Sequence, residues 1–235
     1  YYYNADKIIN IPIGILTGVG TVMLPRMTSL NKAGKLEEAR KLFLLSIELI
    51  IVVAVAMACG ISAISKEFTP FFFGKGYDEC IRLIIALSPV LVIKGLSEIA
   101  RMQYLIPNHK EKIFIESVFC GAGVNFVVNW FLISRLGALG AVIGTLVAEL
   151  VSCVWQYIKM NKYISCLTTI FKSMIYVVFG VIMFTIVRVV ALCFNGGIVA
   201  LFFEVLAGII TYAVICLIYW KVTKNKIVGL VIKKK

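Results

Sequence analysis

Seven apolar stretches dominate this 235-residue sequence, and each is long enough to cross a bilayer as a helix, which takes roughly 20 residues. Hydrophobic residues make up 61% of the chain and the mean hydropathy is +0.97, well outside the range of a soluble domain. Backbone polar groups inside a bilayer must be satisfied internally, which favours helices. We therefore predict an all-α polytopic membrane protein with about seven transmembrane helices. The predicted spans are Ala5–Met27, Leu42–Ser65, Ile81–Ile106, Ile113–Ile133, Leu139–Ile158, Met174–Leu192 and Ile198–Trp220.

The basic residues are distributed unevenly between the two sides of the membrane. The net charge is +12, and sixteen lysines and arginines fall after the odd-numbered spans, against four after the even-numbered ones. By the positive-inside rule, the sequence starts outside and ends in the cytoplasm. The tail Lys233-Lys234-Lys235 is then expected to touch anionic membrane lipid. Because the basic residues flank spans and form no stripe with stacking aromatics, no nucleic-acid partner is predicted.

Three charged residues lie inside the third span and are the most informative polar feature of the chain. Lys94, Glu98 and Arg101 are spaced four and three apart, so their side chains share one helix face. Charges near the bilayer centre are costly and usually face a cavity or the bundle interior. We predict a polar cavity on this face, with Lys94 nearest the membrane centre and paired with Glu98 in the empty state. For Arg101, an alternative is extension to the cytoplasmic headgroups.

Two other spans carry polar residues at helical spacing. Asn125 and Asn129 lie on one face of the fourth span, where they can bind sugar hydroxyls or hold helices together. Glu149 lies in the middle of the fifth span, with Thr145 and Ser152 on its side. Protonation, ion pairing and a proton-coupled step all remain open for this carboxylate. We include all three residues, Asn125, Asn129 and Glu149, among the cavity candidates.

The last two spans carry one charge each. Arg188 and Glu204 flank the short outer connection Cys193–Gly197 and fall at similar depth on antiparallel helices. We predict a buried ion pair that stabilises this hairpin, away from any substrate. The seven cysteines show neither CxxC nor zinc-type spacing, and most lie within spans, so no metal or other cofactor is predicted.

Two regions of the sequence resemble a known family. The opening Tyr2-Tyr3-Asn4-Ala5-Asp6-Lys7-Ile8 and the later Val22-Met23-Leu24-Pro25-Arg26 are similar to the "GYY-x-A-x-K-I … LLPR" stretch of polysaccharide-repeat-unit flippases. These flippases belong to the multidrug/oligosaccharidyl-lipid/polysaccharide (MOP) exporter superfamily. Leu83–Lys162 is similar to the C-terminal region of that family, with Ser134-Arg135 where the family has Pro-x. The similar residues there are Ile106-Pro107-Asn108-His109-Lys110, Asn125, Asn129, Arg135-Leu136-Gly137-Ala138-Leu139-Gly140-Ala141 and Glu149.

The resemblance implies a MATE-like fold, with two pseudo-symmetric lobes of six helices around a central cavity and two extra C-terminal helices. On this pattern, residues 1–165 are five helices of the second, C-terminal lobe, whose first helix is missing. Residues 166–235 are the two additional helices and a basic cytoplasmic tail. The resemblance also matches Lys7 to a recurrent family position, which makes Lys7 a cavity candidate. The chain is then the later part of a longer multi-pass protein of the bacterial plasma membrane.

The implied function is the flipping of undecaprenyl-pyrophosphate-linked oligosaccharide across the membrane for O-antigen or capsule biosynthesis. The implied partners are this lipid-linked oligosaccharide, membrane lipids, and the polysaccharide polymerase and chain-length machinery, with H⁺ or Na⁺ as candidate coupling ions. Two alternatives share the superfamily: a lipid II flippase, and a cation-coupled multidrug exporter in which Glu98 and Glu149 would dominate. An integral-membrane glycan-assembly enzyme is the rival from another class. The sequence has no nucleotide-binding loop, HExxH or GxSxG motif, so we predict no enzyme.

Overall fold

A computed structural model describes residues 1–194 and 196–223, and the predicted basic tail from Lys224 to Lys235 lies outside the described residues. Regular structure within the described ranges is helical throughout. The α-helices are α1 (Tyr2–Lys32), α2 (Leu36–Phe73), α3 (Asp78–Leu87), α4 (Val90–Ala100), α5 (Glu111–Leu136), α6 (Ala138–Asn161), α7 (Leu167–Ser173), α8 (Ile175–Ala191) and α9 (Ile198–Thr223), with one π-helical turn (Arg101–Leu105) after α4.

The described part of the chain contains seven helical segments that are long and apolar enough to span a membrane. They follow the order of the seven predicted spans. The third is Asp78–Leu105 and the sixth is Leu167–Ala191, and each is made of shorter consecutive helices. The prediction of an all-α polytopic membrane protein is confirmed.

The third span is interrupted twice, and the interruptions bracket its charged residues. Pro89 has no backbone N–H to donate, so α3 ends before it and α4 begins after it. The hydroxyl of Ser88 lies 2.7 Å from that of Ser62 in α2, which ties this break to the neighbouring helix. After α4 the chain forms the π-helical turn Arg101–Leu105. The segment that carries the predicted cavity charges therefore lies between two local irregularities.

The long helix α2 organises the core. It packs against α1, α3, α4, α8 and α9. One face of α2 is fully buried, including Phe43, Ile47, Ile51 and Ala54, which have no exposed surface. Lipid tails are as apolar as these side chains, so the hydrophobic effect does not drive helices together within a membrane. Close packing of the side chains holds the helices together instead.

The last two spans form a hairpin that rests on α2. The hydroxyl of Tyr212 in α9 donates to the carbonyl oxygen of Val52 in α2 at 2.9 Å. The indole N–H of Trp220 in α9 donates to the hydroxyl of Tyr176 in α8, also at 2.9 Å. The division of the chain into a lobe over residues 1–165 and an added unit over residues 166–235 stays a prediction.

Candidate functional site

Helices α5 and α6, together with Ser97 of α4, line an open cleft within the membrane-spanning region. The cavity measures about 450 Å³. Asn125 and Asn129 of α5 and Glu149 of α6 line it, so three of the seven predicted cavity residues meet there. Four further polar residues line the cleft, Ser97, Thr145, Ser152 and Gln156, and the remaining lining is apolar or glycine.

A tight connection explains how α5 and α6 come to lie side by side. Gly137 alone joins the two helices, and its φ of 56° lies in the left-handed region that glycine adopts without strain. On α6, Gly140 is in contact with the backbone of Leu132, and Gly144 with the side-chain amide of Asn129. A side chain at either glycine would displace α5. The small residues therefore set the width of the cleft.

Lys94 joins α4 to α6 at the cleft. Its Nζ lies 3.3 Å from Oε1 of Glu149, and the two side chains are 32% and 30% exposed. The predicted pairing of Lys94 with Glu98 is wrong, because the carboxylate of Glu98 is occupied by Arg101. Of the three options left open for Glu149, the structure supports ion pairing. Both charges of the pair remain partly open to a ligand.

Arg101 is paired with a carboxylate that lies three residues earlier in the same span. Its guanidinium donates to both carboxylate oxygens of Glu98, at 2.7 and 2.8 Å from Nη2 and at 3.1 Å from Nε. It also lies 5.3 Å from the ring centroid of Phe114 in α5, at cation–π distance. Glu98 in turn packs toward Gly20 of α1. This arrangement gives Arg101 and Glu98 a packing role between α1, α4 and α5.

The two asparagines of α5 differ in what they contact. Nδ2 of Asn129 donates to Oδ1 of Asn125 at 2.9 Å, so the two amides form one unit along the helix. Oδ1 of Asn129 is buried without a hydrogen-bond partner in the described structure and lies against Gly144. Asn129 thus serves the α5–α6 contact, while Asn125 has its Nδ2 group left for a ligand in the cleft.

Lys7 lies away from this cleft, on the exposed side of α1 near its beginning. Its Nζ lies 4.4 Å from the ring centroid of Tyr3, one turn earlier. Neighbouring Asp6 accepts a hydrogen bond of 2.7 Å from Nδ2 of Asn10. The structure therefore places Lys7 on a separate, outward face, where it stays a candidate for a cavity formed with protein beyond this chain.

The predicted ion pair between Arg188 and Glu204 is wrong. Nη1 of Arg188 donates to Oε2 of Glu67 in α2 at 2.8 Å and to the carbonyl oxygen of Ala63 at 3.0 Å. Glu204 has no exposed surface, and neither of its carboxylate oxygens has a hydrogen-bond partner among the described residues. Arg188 reaches α2 because α8 packs along α2. Comparing the membrane depth of residues on α8 and α9 does not reveal that α2 is also a neighbour of α8.

Sequence analysis missed two polar residues that line the cleft, Ser97 and Gln156, and the buried Ser117 behind them. Nε2 of Gln156 donates to the hydroxyl of Ser117 at 3.0 Å, and Ser97 lies three residues after Lys94 on α4. Gln156 continues the line of Glu149 and Ser152 along one face of α6, a spacing that could have identified it. Among the described residues, no group of three or more His, Cys, Asp or Glu side chains is placed to hold a metal ion.

Residues 1–220 match the family profile described as "Lipid II flippase MurJ". The chain belongs to this family. Two curated relatives agree with the match. A 161-residue segment is 22% identical to "Lipid II flippase MurJ" of Bacillus subtilis (strain 168), covering 67% of this chain and 29% of that protein. A 145-residue segment is 28% identical to "Putative O-antigen transporter" of Shigella dysenteriae, covering 62% of this chain and 36% of that protein.

The fold also matches a solved MurJ structure. The chain superposes on "Lipid II flippase MurJ, inward closed conformation" with a TM-score of 0.79 and 15% sequence identity, covering 96% of this chain and 48% of that one. At this identity the likeness shows the fold alone. The family profile and the two curated relatives confirm the resemblance to the MOP exporter superfamily. The chain spans about a third of the length of the curated relatives it matches.

Proposed function

We propose that this MurJ-family chain is part of a flippase that moves an undecaprenyl-pyrophosphate-linked oligosaccharide from the cytoplasmic to the outer leaflet. The observation that supports it most directly is the ion pair between Lys94 and Glu149, whose carboxylate lines a cleft within the membrane-spanning region. Intramembrane charges that are neither fully buried nor exposed to lipid typically mark a transport path. Amides and hydroxyls beside the pair are suited to the hydroxyl groups of a glycan.

In the proposed mechanism the pyrophosphate of the cargo displaces the carboxylate of Glu149 and binds the ammonium of Lys94 in its place. A cation in a low-dielectric cavity attracts a dianionic group strongly, and the ion pair holds the lysine side chain in position until the cargo arrives. Asn125 then donates its side-chain N–H to a sugar oxygen. Two lobes would rock about the cavity between inward-open and outward-open states while the lipid tail stays in the bilayer.

A cation-coupled drug exporter receives less support from the same geometry. Such a cavity needs carboxylates free to bind a cation. In the described structure Glu98 is bound by Arg101, and Glu149 is bound by Lys94. Coupling of glycan transport to H⁺ or Na⁺ remains part of the proposal.

The relatives offer two cargoes of one chemical kind, and both carry a glycan on a polyprenyl pyrophosphate. We propose a lipid-linked polysaccharide repeat unit as the cargo, with lipid II as the second candidate. The family profile that matches residues 1–220 favours lipid II. The proposed location is the bacterial plasma membrane, with Tyr1 outside and the C-terminus in the cytoplasm. Partners would be the polysaccharide polymerase and the chain-length machinery.

Reconstitution of the full-length protein in liposomes tests this function. Transbilayer movement of fluorescent lipid II and of an undecaprenyl-pyrophosphate oligosaccharide is measured with and without an ion gradient. We expect movement of one of them, and a loss of about tenfold in Lys94→Ala. Lys75→Ala, an exposed lysine in the connection before α3, is the matched control and should flip at the normal rate. Efflux of a cationic dye without movement of either lipid would reject the proposal.

A further inference from the structure

A second cavity lies at the end of the bundle where α1 finishes and α2 begins, apart from the α4–α6 cleft. It measures about 290 Å³, enough for about ten water molecules at their liquid volume. Its floor is buried, with Phe43 and Gln103 fully inaccessible and Met27 at 2% exposure. Its rim is open, with Leu36 at 63% and Tyr163 at 64% exposure. The cavity is therefore a pit that opens on the surface of this end of the bundle.

Gln103 is the unusual residue of this pit. Both its amide oxygen and its amide nitrogen are buried and have no hydrogen-bond partner in the described structure. A buried amide left unpaired costs about 1–3 kcal/mol, so a partner from outside the chain is expected. Gln103 is also the central residue of the π-helical turn Arg101–Leu105, and such turns recur at functional sites.

The surrounding polar side chains are fixed in place. Nδ2 of Asn31 donates to the carbonyl oxygen of Pro107 at 3.3 Å, and Nδ2 of Asn108 donates to that of Tyr104 at 2.7 Å. Both asparagines line the pit. Anchoring of their amide nitrogens leaves the amide oxygens with a defined orientation, which favours recognition of a specific ligand over adaptation to any ligand.

The charge of the pit argues for an uncharged ligand. The charged residues on its lining are Glu37 and Arg40, whose side chains lie 3.9 Å apart and offset each other. Lys110 is nearby but lies over the ring of Tyr163, 2.9 Å from the ring centroid, and does not line the pit. A nucleotide or a lipid phosphate would find little compensating charge here.

We propose that this pit binds an uncharged sugar ring. Amide groups of glutamine and asparagine offer adjacent donors and acceptors, the pattern that neighbouring sugar hydroxyls require. Tyr104 and Tyr163 line the pit, and their rings suit the apolar face of a sugar, while Phe43 packs on Tyr104 with the ring centroids 5.6 Å apart. The sugar belongs either to the lipid-linked cargo, a reading that rests on the proposed function, or to a free saccharide.

Saturation-transfer NMR on the purified full-length protein tests the proposal, with glucose, galactose and N-acetylglucosamine as probes. We expect transfer to at least one sugar, reduced at least tenfold in Gln103→Leu. Thr69→Val is the matched control, because Thr69 is equally buried with an unpaired hydroxyl but lies at the far end of α2. Tyr163→Ala, at the exposed rim, should also weaken transfer and does not endanger folding.

Competition with lipid-linked oligosaccharide distinguishes a sugar of the cargo from a free saccharide as the ligand of the pit. Displacement of the free sugar by lipid-linked oligosaccharide would assign the pit to the cargo, whereas transfer that the lipid leaves unchanged would assign it to a free saccharide. Transfer to none of the three sugars, or equal transfer in wild type, Gln103→Leu and Tyr163→Ala, would overturn the proposal and leave water as the occupant. Because binding is measured without transport, a failed flipping assay leaves this result standing.

Discussion

Lys94 and Glu149 come from helices whose residues are more than fifty positions apart in sequence, yet their charged atoms lie 3.3 Å from each other within the membrane. The two charges depend on each other, because removing one leaves the other in a medium of low dielectric without a partner. This dependence makes the pair testable as a unit.

Exchange of the two charges is the first prediction. Lys94→Glu and Glu149→Lys should each lower flipping in liposomes about tenfold, since each places two like charges against each other. The double variant should recover membrane abundance and thermal stability, because the pair is restored in reverse. The double variant should not recover full flipping if the cation must be carried by α4 in order to bind the pyrophosphate. Full recovery would show that the pair is purely structural.

The contact between α5 and α6 gives the second prediction, from two glycines that differ by two positions. A methyl group at Gly121 would meet the hydroxyl of Ser152 and the carbonyl oxygen of Ala148, whereas one at Gly123 would meet nothing within 4 Å. Gly121→Ala should therefore lower the unfolding temperature and the flipping rate, at a cost of about 1–3 kcal/mol for overpacking. Gly123→Ala is the control.

We expect Gly123→Ala to be neutral or slightly stabilising, by up to about 1 kcal/mol, because alanine favours a helix over glycine. Thermal unfolding in detergent and flipping in liposomes are measured on both variants. Equal behaviour of the two would mean that α5 is not packed on α6 as described.

The third prediction concerns Arg188, which pairs with Glu67, and Glu204, whose carboxylate has no hydrogen-bond partner among the described residues. Arg188→Met should destabilise the protein by about 2 kcal/mol, the scale of a hydrogen bond to a charged group, and lower the unfolding temperature by several degrees. Glu204→Leu should leave the unfolding temperature unchanged or raise it, because it replaces a partnerless buried carboxyl with an apolar side chain. A fall as large as that of Arg188→Met would instead indicate a direct Arg188–Glu204 pair.

Orientation in the membrane is the fourth prediction, and two cysteines in connections test it. Cys193 is exposed between α8 and α9, at the proposed outer face. Cys166, between α6 and α7, is buried, and burial raises the pKa of its thiol to about 11. Because only the thiolate reacts, Cys166 should stay unlabelled at pH 7 and begin to react only as the pH approaches 11.

A membrane-impermeant maleimide should therefore label intact cells at Cys193, and Cys193→Ser should abolish the signal. Labelling of Cys193 that appears only after permeabilisation would mean that the protein has the opposite orientation. The charge distribution that predicts the orientation would then have been misread.

Sequence alone was sufficient for the spans and for part of the cleft. Hydropathy is a local property, so the seven spans could be located without knowledge of packing. Helical spacing correctly placed Asn125 and Asn129 together. The partners of charged residues could not be predicted in the same way. Glu149 and Glu67 are each brought to their partner by a contact between helices distant in sequence, which spacing along one helix does not contain.

The partner of Arg188 was predicted wrongly for a related reason, because the prediction compared only the membrane depths of residues on α8 and α9. The predicted partner, Glu204, lies on the next helix along the chain, and that helix does pack against α8. However, α8 also packs against α2, and a side chain as long as arginine reaches the carboxylate that offers the better geometry. Gln103 gave no signal in the sequence, because an isolated glutamine in an apolar span has no spacing partner.

The break at Ser88 and Pro89 divides the third span into two rods, α3 and α4. A continuous helix transmits a twist along its whole length, whereas a broken one absorbs it where backbone hydrogen bonds are missing. The rod formed by α4 carries Lys94 and Glu98, and the π-helical turn that follows it forms part of the wall of the sugar-sized pit. Because α4 borders an irregularity at each end, it can turn with Lys94 while α3 keeps its position.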